Sequence, residues 1–241
     1  MKSVAEPGYW SNMWGRNKLQ YEPDSLTFQD IFQRHLPQGG DCFEVGCYPG
    51  GYLIYLSKKF NCRVHGIDMY PGVNDLPAHL RANGAEVGSI VQGDFFSFDP
   101  PIKYDTVCSF GFVEHFTDLP RVFKCHADLV KPGGVLILTC PNFRRLQFLL
   151  HWIFDRDNLN KHVIETMDLK LWKKELTKLG LEVIEQGYYR TFDFWVEPAA
   201  RSPFSEWLVK KIRSLGLRIN GRFNWPNRLT SAFMYTVCRK F

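Results

Sequence analysis

A doubly wound α/β sheet is the fold this sequence predicts, and three observations carry it. From position 40 to 140, short apolar runs alternate with helical segments. A glycine-bearing turn, Gly46 to Gly51, joins the first run directly to a helix-like stretch. Three successive runs end in or beside an acid: Glu44, Asp68 and Asp94. Strands separated by helices require right-handed crossovers, hence a mostly parallel sheet covered on both faces.

The elements follow in order. Residues 1–37, with Tyr9, Trp10, Trp14 and Tyr21, read as a helical N-terminal cap. The core, 38–185, opens with the runs "DCFEVG", "CRVHGID", "GSIVQGD", "YDTVCSF" and "GGVLILTC". Between them stand the helical "GYLIYLSKKF", "DLPAHLRANG" and "LPRVFKCHADLVKPG". An aromatic-rich segment at 143–160 and a helix over 168–179 come next. The C-terminal part, 186–241, continues the strand "LEVIEQGYYRTF", inserts a basic helix and ends on the strand "AFMYTVCRK". Pro203 should open the inserted helix and Gly216 close it.

Composition narrows the class. A chain of 241 residues can bury one substantial core, and 45% hydrophobic with 23% charged residues argues against disorder. No apolar run approaches the roughly 20 residues of a membrane-spanning helix. The N-terminus shows no apolar signal-peptide stretch. Seven cysteines with no C-x-x-C pair suit a reduced, cytoplasmic protein better than a disulfide framework or a zinc site. A net charge of +5 permits an anionic partner without demanding nucleic acid.

In doubly wound sheets, ligands bind beyond the carboxyl ends of strands, where a glycine turn lets backbone approach them. A dinucleotide fingerprint would read G-x-G-x-x-G, and Tyr48 at its middle position argues against a pyrophosphate. Asp68, 22 residues beyond Gly46, sits where a carboxylate can take both hydroxyls of a ribose. Asp94, followed by Phe95 and Phe96, could accept from an adenine amino group beside an aromatic ring. Each acid alone would pass for a turn or cap residue.

Together these residues resemble the class I S-adenosylmethionine-dependent methyltransferases. "FEVGCYPGG" is similar to their first motif with Tyr48 in place of a glycine, and "YDTVCSFGFVEHFTDLPRVFKCHADLVKPGGVLILTCPN" is similar to their fourth strand, helix and fifth strand. The likeness covers roughly residues 38–185 and is nearest to the small-molecule group of ubiquinone-biosynthesis and sugar methyltransferases. It implies a Rossmann-like, seven-stranded sheet, mostly parallel, with an antiparallel last strand. It implies S-adenosyl-L-methionine as cofactor and S-adenosyl-L-homocysteine as product. Glu44, Gly46, Cys47 and Gly50 would cradle the cofactor's amino-acid tail. Asp68 would take the ribose, Met69, Asp94 and Phe95 the adenine side, and Phe110 the methionine side.

The chemistry belongs at the end of the fourth strand, "SFGFVEHF". A hydroxyl acceptor needs a base, and His115 is the first candidate, with loop bracing as its structural alternative. His162, between the fifth strand and the next helix, is the second, over the mouth of the site. Glu114 is expected to face outward or brace the loop. His35, His65, His79, His126 and His151 read as structural or exposed. Tyr9, Trp10, Trp14, Phe143, Phe148 and Trp152 are candidates for a lid or for core. No metal is expected, because Asp and His residues show no clustering at ligand spacing.

From Arg201 onward nine Lys/Arg residues face one acid, Glu206. The inserted helix reads first as a sheet-edge helix with a solvated basic side. Peripheral contact with an anionic membrane or a phosphate-bearing substrate is the sharper alternative. RNA binding ranks below both. The expected function is methylation of a small molecule, on oxygen of a sugar, glycan or lipid-linked precursor. The rivals are a nucleic-acid or protein methyltransferase and a catalytically silent cofactor-binding protein.

Overall fold

The computed structural model describes residues 3–5, 8, 9, 11, 26–197 and 202–241. Trp10, Trp14 and Tyr21, and with them most of the expected cap, lie outside the described residues. Seven strands form one sheet: β1 Asp41–Val45, β2 Arg63–Asp68, β3 Val87–Gln92, β4 Tyr104–Phe110, β5 Val130–Pro141, β6 Leu181–Tyr189 and β7 Phe233–Lys240. Their order is β3-β2-β1-β4-β5-β7-β6. Pairings from β3 through to β5 are parallel, and β7 runs antiparallel to both β5 and β6. The predicted mostly parallel sheet with an antiparallel last strand is therefore the observed fold.

Alternation along the strands divides the core into two layers. Phe43 and Val45 of β1, with Leu136 and Leu138 of β5, face helices α4 (Leu119–Leu129) and α7 (Leu169–Thr177). Cys42, Val64, Val135 and Ile137 face the other way, onto α1 (Gln29–His35), α2 (Gly51–Phe60) and α3 (Leu76–Ala82). Period-two side-chain direction produces this split, and strands covered on both faces show the nearly continuous apolar runs read above. Asp168 starts α7 by accepting from the amides of Lys170 and Leu171 at 2.9 and 3.2 Å, a side-chain N-cap.

Two boundaries differ from the expectation. Helix α4 stops at Leu129, and "VKPGG" begins β5 rather than a turn, because Val130 is wholly buried opposite Tyr104. The inserted helix α8, Pro203–Arg222, starts at the proline but runs through Gly216. There a Cβ would lie 2.9 Å from the ring of Phe192, so the glycine serves close packing mid-helix and does not end it. The aromatic segment after β5 forms α5 (Leu146–Phe154) and the short α6 (Arg156–Leu159). All of these lie beyond the strand ends at Pro141 and Tyr189, the same end of the sheet as Val45, Asp68 and Phe110.

Candidate active site

The first strand leads into the glycine turn. Gly46 takes a φ of 75° and its amide donates to the Ile67 carbonyl at 2.9 Å, which binds the turn to β2. A Cβ there would adopt a strained conformation and press to 3.3 Å from Phe112. Glu44 is buried, and its Oε2 has no hydrogen-bond partner among the described residues. Burial, reinforced by the neighbouring Asp68, holds its carboxyl well above the usual carboxylate range. An orphaned buried carboxylate oxygen is costly unless something meets it. An ammonium group would do so, and it would also return Glu44 to its ionised form.

Asp68 ends β2 and accepts two amides, Tyr48 N at 3.1 Å and Tyr70 N at 2.8 Å. These bonds aim the carboxyl, and each oxygen keeps lone-pair capacity for a ribose hydroxyl. Burial raises its pKa. Tyr48 packs its ring on Tyr70 at 4.8 Å, so the departure from glycine is absorbed by tyrosine–tyrosine packing. Cys47 is buried against Gly66 of β2, leaving only its backbone for the turn. Phe110 stacks on Tyr52 at 3.9 Å. Met69 is 65% exposed beyond Asp68.

On the adenine side the side chains divide. Asp94 caps the short helical turn at 95–97 by accepting from Phe96 N at 3.0 Å. Phe95 does not take the expected place against a base. It is only 6% exposed, with its ring against His126 at 4.7 Å and Phe112 at 5.5 Å, so it belongs to the core.

At the end of β4 two adjacent residues meet a third from a distant part of the chain. Glu114, His115 and His162 bring one ligand-type atom each within 4.8 Å of one another. His115 shares a 2.8 Å hydrogen bond between Nδ1 and the Lys161 carbonyl, and His162 one of 2.7 Å between Nδ1 and the Asn158 carbonyl. Carbonyls only accept, so the His162 ring carries its proton on Nδ1, while the His115 ring meets the Gly111 carbonyl as well as that of Lys161. The two imidazoles lie 4.6 Å apart, and His162 packs edge-on against Phe143 at 4.8 Å. The Val163 amide donates to the Glu114 carbonyl at 2.7 Å, latching the 158–163 loop to the strand end.

Burial sets the charge state. It pushes Glu114 up to about 8 and His115 down to about 4. His162 falls to about 3, through burial first and then the neighbouring His115. At neutral pH the trio is uncharged: one carboxylic acid and two neutral imidazoles. Glu114 is 1% exposed, and neither carboxyl oxygen has a hydrogen-bond partner among the described residues. The expectation that it faces outward is overturned. So is the expectation of no clustering, since tertiary folding gathers one oxygen and two nitrogen donors that could also hold a divalent cation.

The chain as a whole is similar to known proteins. Residues 16–186 match the methyltransferase-domain family. The chain belongs to that family. Among its relatives, the ubiquinone biosynthesis O-methyltransferase of Xanthomonas euvesicatoria pv. vesicatoria is 27% identical over 151 residues, 62% of this chain and 63% of that protein. Phosphoethanolamine N-methyltransferase 1 of Arabidopsis thaliana is 27% identical over 119 residues, 47% of this chain and 23% of that protein. The matches therefore span less than two thirds of these relatives' own lengths. Among solved structures, a SAM-dependent methyltransferase from Geobacter sulfurreducens, in complex with S-adenosyl-L-homocysteine, superposes with a TM-score of 0.62 at 16% identity. That superposition covers 99% of this chain and 100% of that one. A SAM-dependent methyltransferase from Thiobacillus denitrificans, in complex with S-adenosyl-L-homocysteine, gives 0.62 at 15% identity, covering 98% of this chain and 99% of that one. At such identities the likeness establishes the fold.

Around the family's site the fold adds residues that sequence reading passed over. Tyr9 donates its hydroxyl to Glu197, and the Lys161 ammonium, 4.1 Å above the Tyr9 ring, pairs with Glu197 at 2.6 Å. Near the chain start, the Val4 amide donates to the His115 carbonyl at 2.9 Å. These contacts place Val4 and Tyr9 beside the trio. Of the other lid candidates, Phe143 is buried beneath His162, while Phe148 and Trp152 face outward. His65 and His126 are tied within the fold, His65 to Asp41 and the Ser89 amide and His126 to the Val122 carbonyl. No local pattern in the sequence marks Lys161 or Glu197, because their meaning depends on a contact 36 positions apart.

Proposed function

We propose that the chain transfers a methyl group from S-adenosyl-L-methionine to a hydroxyl of a small molecule, a sugar, glycan or lipid-linked precursor. One observation carries the reading: a buried, unpartnered carboxyl beside two imidazoles, at the strand end that neighbours Glu44 and Asp68. In this reading Glu44 meets the cofactor's ammonium, Gly46 and Gly50 admit its amino-acid tail, and Asp68 takes the ribose hydroxyls. Asp94 and Met69 border the base, and Phe110 the methionine portion. The cofactor supplies an already activated methyl group. What remains for the protein is to orient the acceptor oxygen and take its proton.

His162 is the better placed to take it. Its Nδ1 proton is committed to Asn158, so Nε2 carries the lone pair, and the ring is only part-buried. His115 lies deeper, with its ring against His162, and positions it. The acceptor's proton would pass to Nε2 of His162. It would then leave to solvent, and the cofactor, when bound, would supply the methyl group that the acceptor oxygen gains.

The test is direct. Calorimetry should show S-adenosyl-L-homocysteine binding, and methyl-labelled cofactor should pass label to a hydroxylated acceptor in a small-metabolite fraction, insensitive to nuclease. Label appearing instead in protein or nucleic acid would refute the acceptor class, and tight NAD binding without homocysteine-cofactor binding would refute the whole reading.

A further inference from the structure

The methyl-transfer reading leaves one surface unused. Helix α8 buries Val209 and Gly216, with Val209 in a small cluster with Phe192 and Phe194. At about 100° per residue, Phe204, Trp207, Lys211, Leu215, Arg218 and Arg222 share a second face, roughly 150° round the helix from the buried Val209 and Gly216. Phe204 is 71%, Trp207 53% and Leu215 55% exposed. The Phe204 and Trp207 rings stack at 6.0 Å, and the Lys211 ammonium lies 5.7 Å over Trp207. The helix has five cations, Lys210, Lys211, Arg213, Arg218 and Arg222, against the single acid Glu206. None of the five makes an ion pair among the described residues. A merely solvated face would keep the charges without the aromatic pair.

We infer that this face docks the protein on an anionic lipid surface. Charge complementarity selects the partner: unpaired cations flank stacked aromatics that can sit at headgroup depth while the cations meet lipid phosphates. No helix among the described residues is long and apolar enough to cross a membrane, so the contact is peripheral. Its position connects it to the chemistry. Helix α5 joins the same cluster through Leu150 and Phe154, and its His151 packs on Phe143, which packs on His162. Docking therefore sets the mouth of the methyl-transfer site near the leaflet. The acceptor is then an amphiphile carried in the lipid, a conclusion that rests on the methyl-transfer reading, whereas the docking itself does not.

The full chain is tested by co-sedimentation with phosphatidylcholine vesicles, with and without phosphatidylglycerol. Binding to the anionic vesicles should be at least about tenfold tighter and should weaken as salt is raised. Lys210→Glu with Lys211→Glu, and separately Phe204→Ala with Trp207→Ala, should each lower it by about tenfold or more, with unchanged melting temperature because all four side chains are exposed. The salt titration of the wild type keeps the proposal falsifiable without any variant. Equal recovery with neutral and anionic vesicles overturns it, as does binding that survives the aromatic substitutions. Capture of a single-stranded RNA oligonucleotide without vesicle binding overturns it too. Homocysteine-cofactor binding, measured by calorimetry on the same protein, reports separately on the methyl-transfer reading.

Discussion

Glu114→Gln isolates the charge state on which the site depends. In the native fold burial raises this carboxyl from its ordinary 4.5 to about 8, so between those pH values the native state holds a proton that the unfolded chain has lost. Stability contributed by the protonated group is complete below pH 4.5 and is lost as pH rises through 8. At ~1.36 kcal/mol for each pH unit, the loss is about 3 kcal/mol by pH 7 and 4 to 5 by pH 8, and under about 1 at pH 5. Glutamine has the same shape and cannot ionise. The variant should match wild type at pH 5 and melt higher at pH 7, by roughly 6 to 12 °C for a chain of this size. Glu44 and Asp68 titrate in the same direction but are common to both proteins, so they cancel in the difference. Thermal melts followed by circular dichroism from pH 5 to 8 provide the measurement. Two curves running parallel over that interval would show that Glu114 is ionised in the native state, and the uncharged trio would be refuted.

S-adenosyl-L-homocysteine at about 100 times its Kd should stabilise the fold by ~2.7 kcal/mol, and Asp68→Ala should remove most of that gain in a thermal-shift titration. His162→Ala should lower kcat by about 10²-fold or more with cofactor affinity nearly unchanged, and His115→Ala should act through the orientation of His162; wild-type rates from both variants would exclude a histidine base. The pH–rate profile should lack a rising limb at pH 6 to 7, since burial holds both histidines near 3 to 4, and should fall above about 8 as Glu114 ionises before the acceptor binds. Those depressed histidines also contribute stability that is present above pH 6.5 and lost as pH falls towards 4, which an acid melt series would record.

The fold was legible in the sequence because its signals are local. The run "YDTVCSF" coincides with β4 and "GYLIYLSKKF" with α2, since apolar periodicity and a glycine turn act over a few residues. The strand-end acids were legible for a related reason, as a carboxyl at the end of a parallel strand has only a few places to point. Tertiary structure alone decided three matters. Gly216 reads as a helix stop until Phe192 is seen pressed against it. Phe95 reads as a ligand-facing ring until His126 and Phe112 enclose it. The third is the trio, where Glu114 and His115 adjoin one another but His162 arrives from 47 positions away on a loop latched by Val163. Only their joint burial raises an ordinary glutamate to about 8 and holds two histidines well below their ordinary 6.5. Residue type and spacing determined which groups were available, and desolvation, which exists only once the chain is packed, determined their charge.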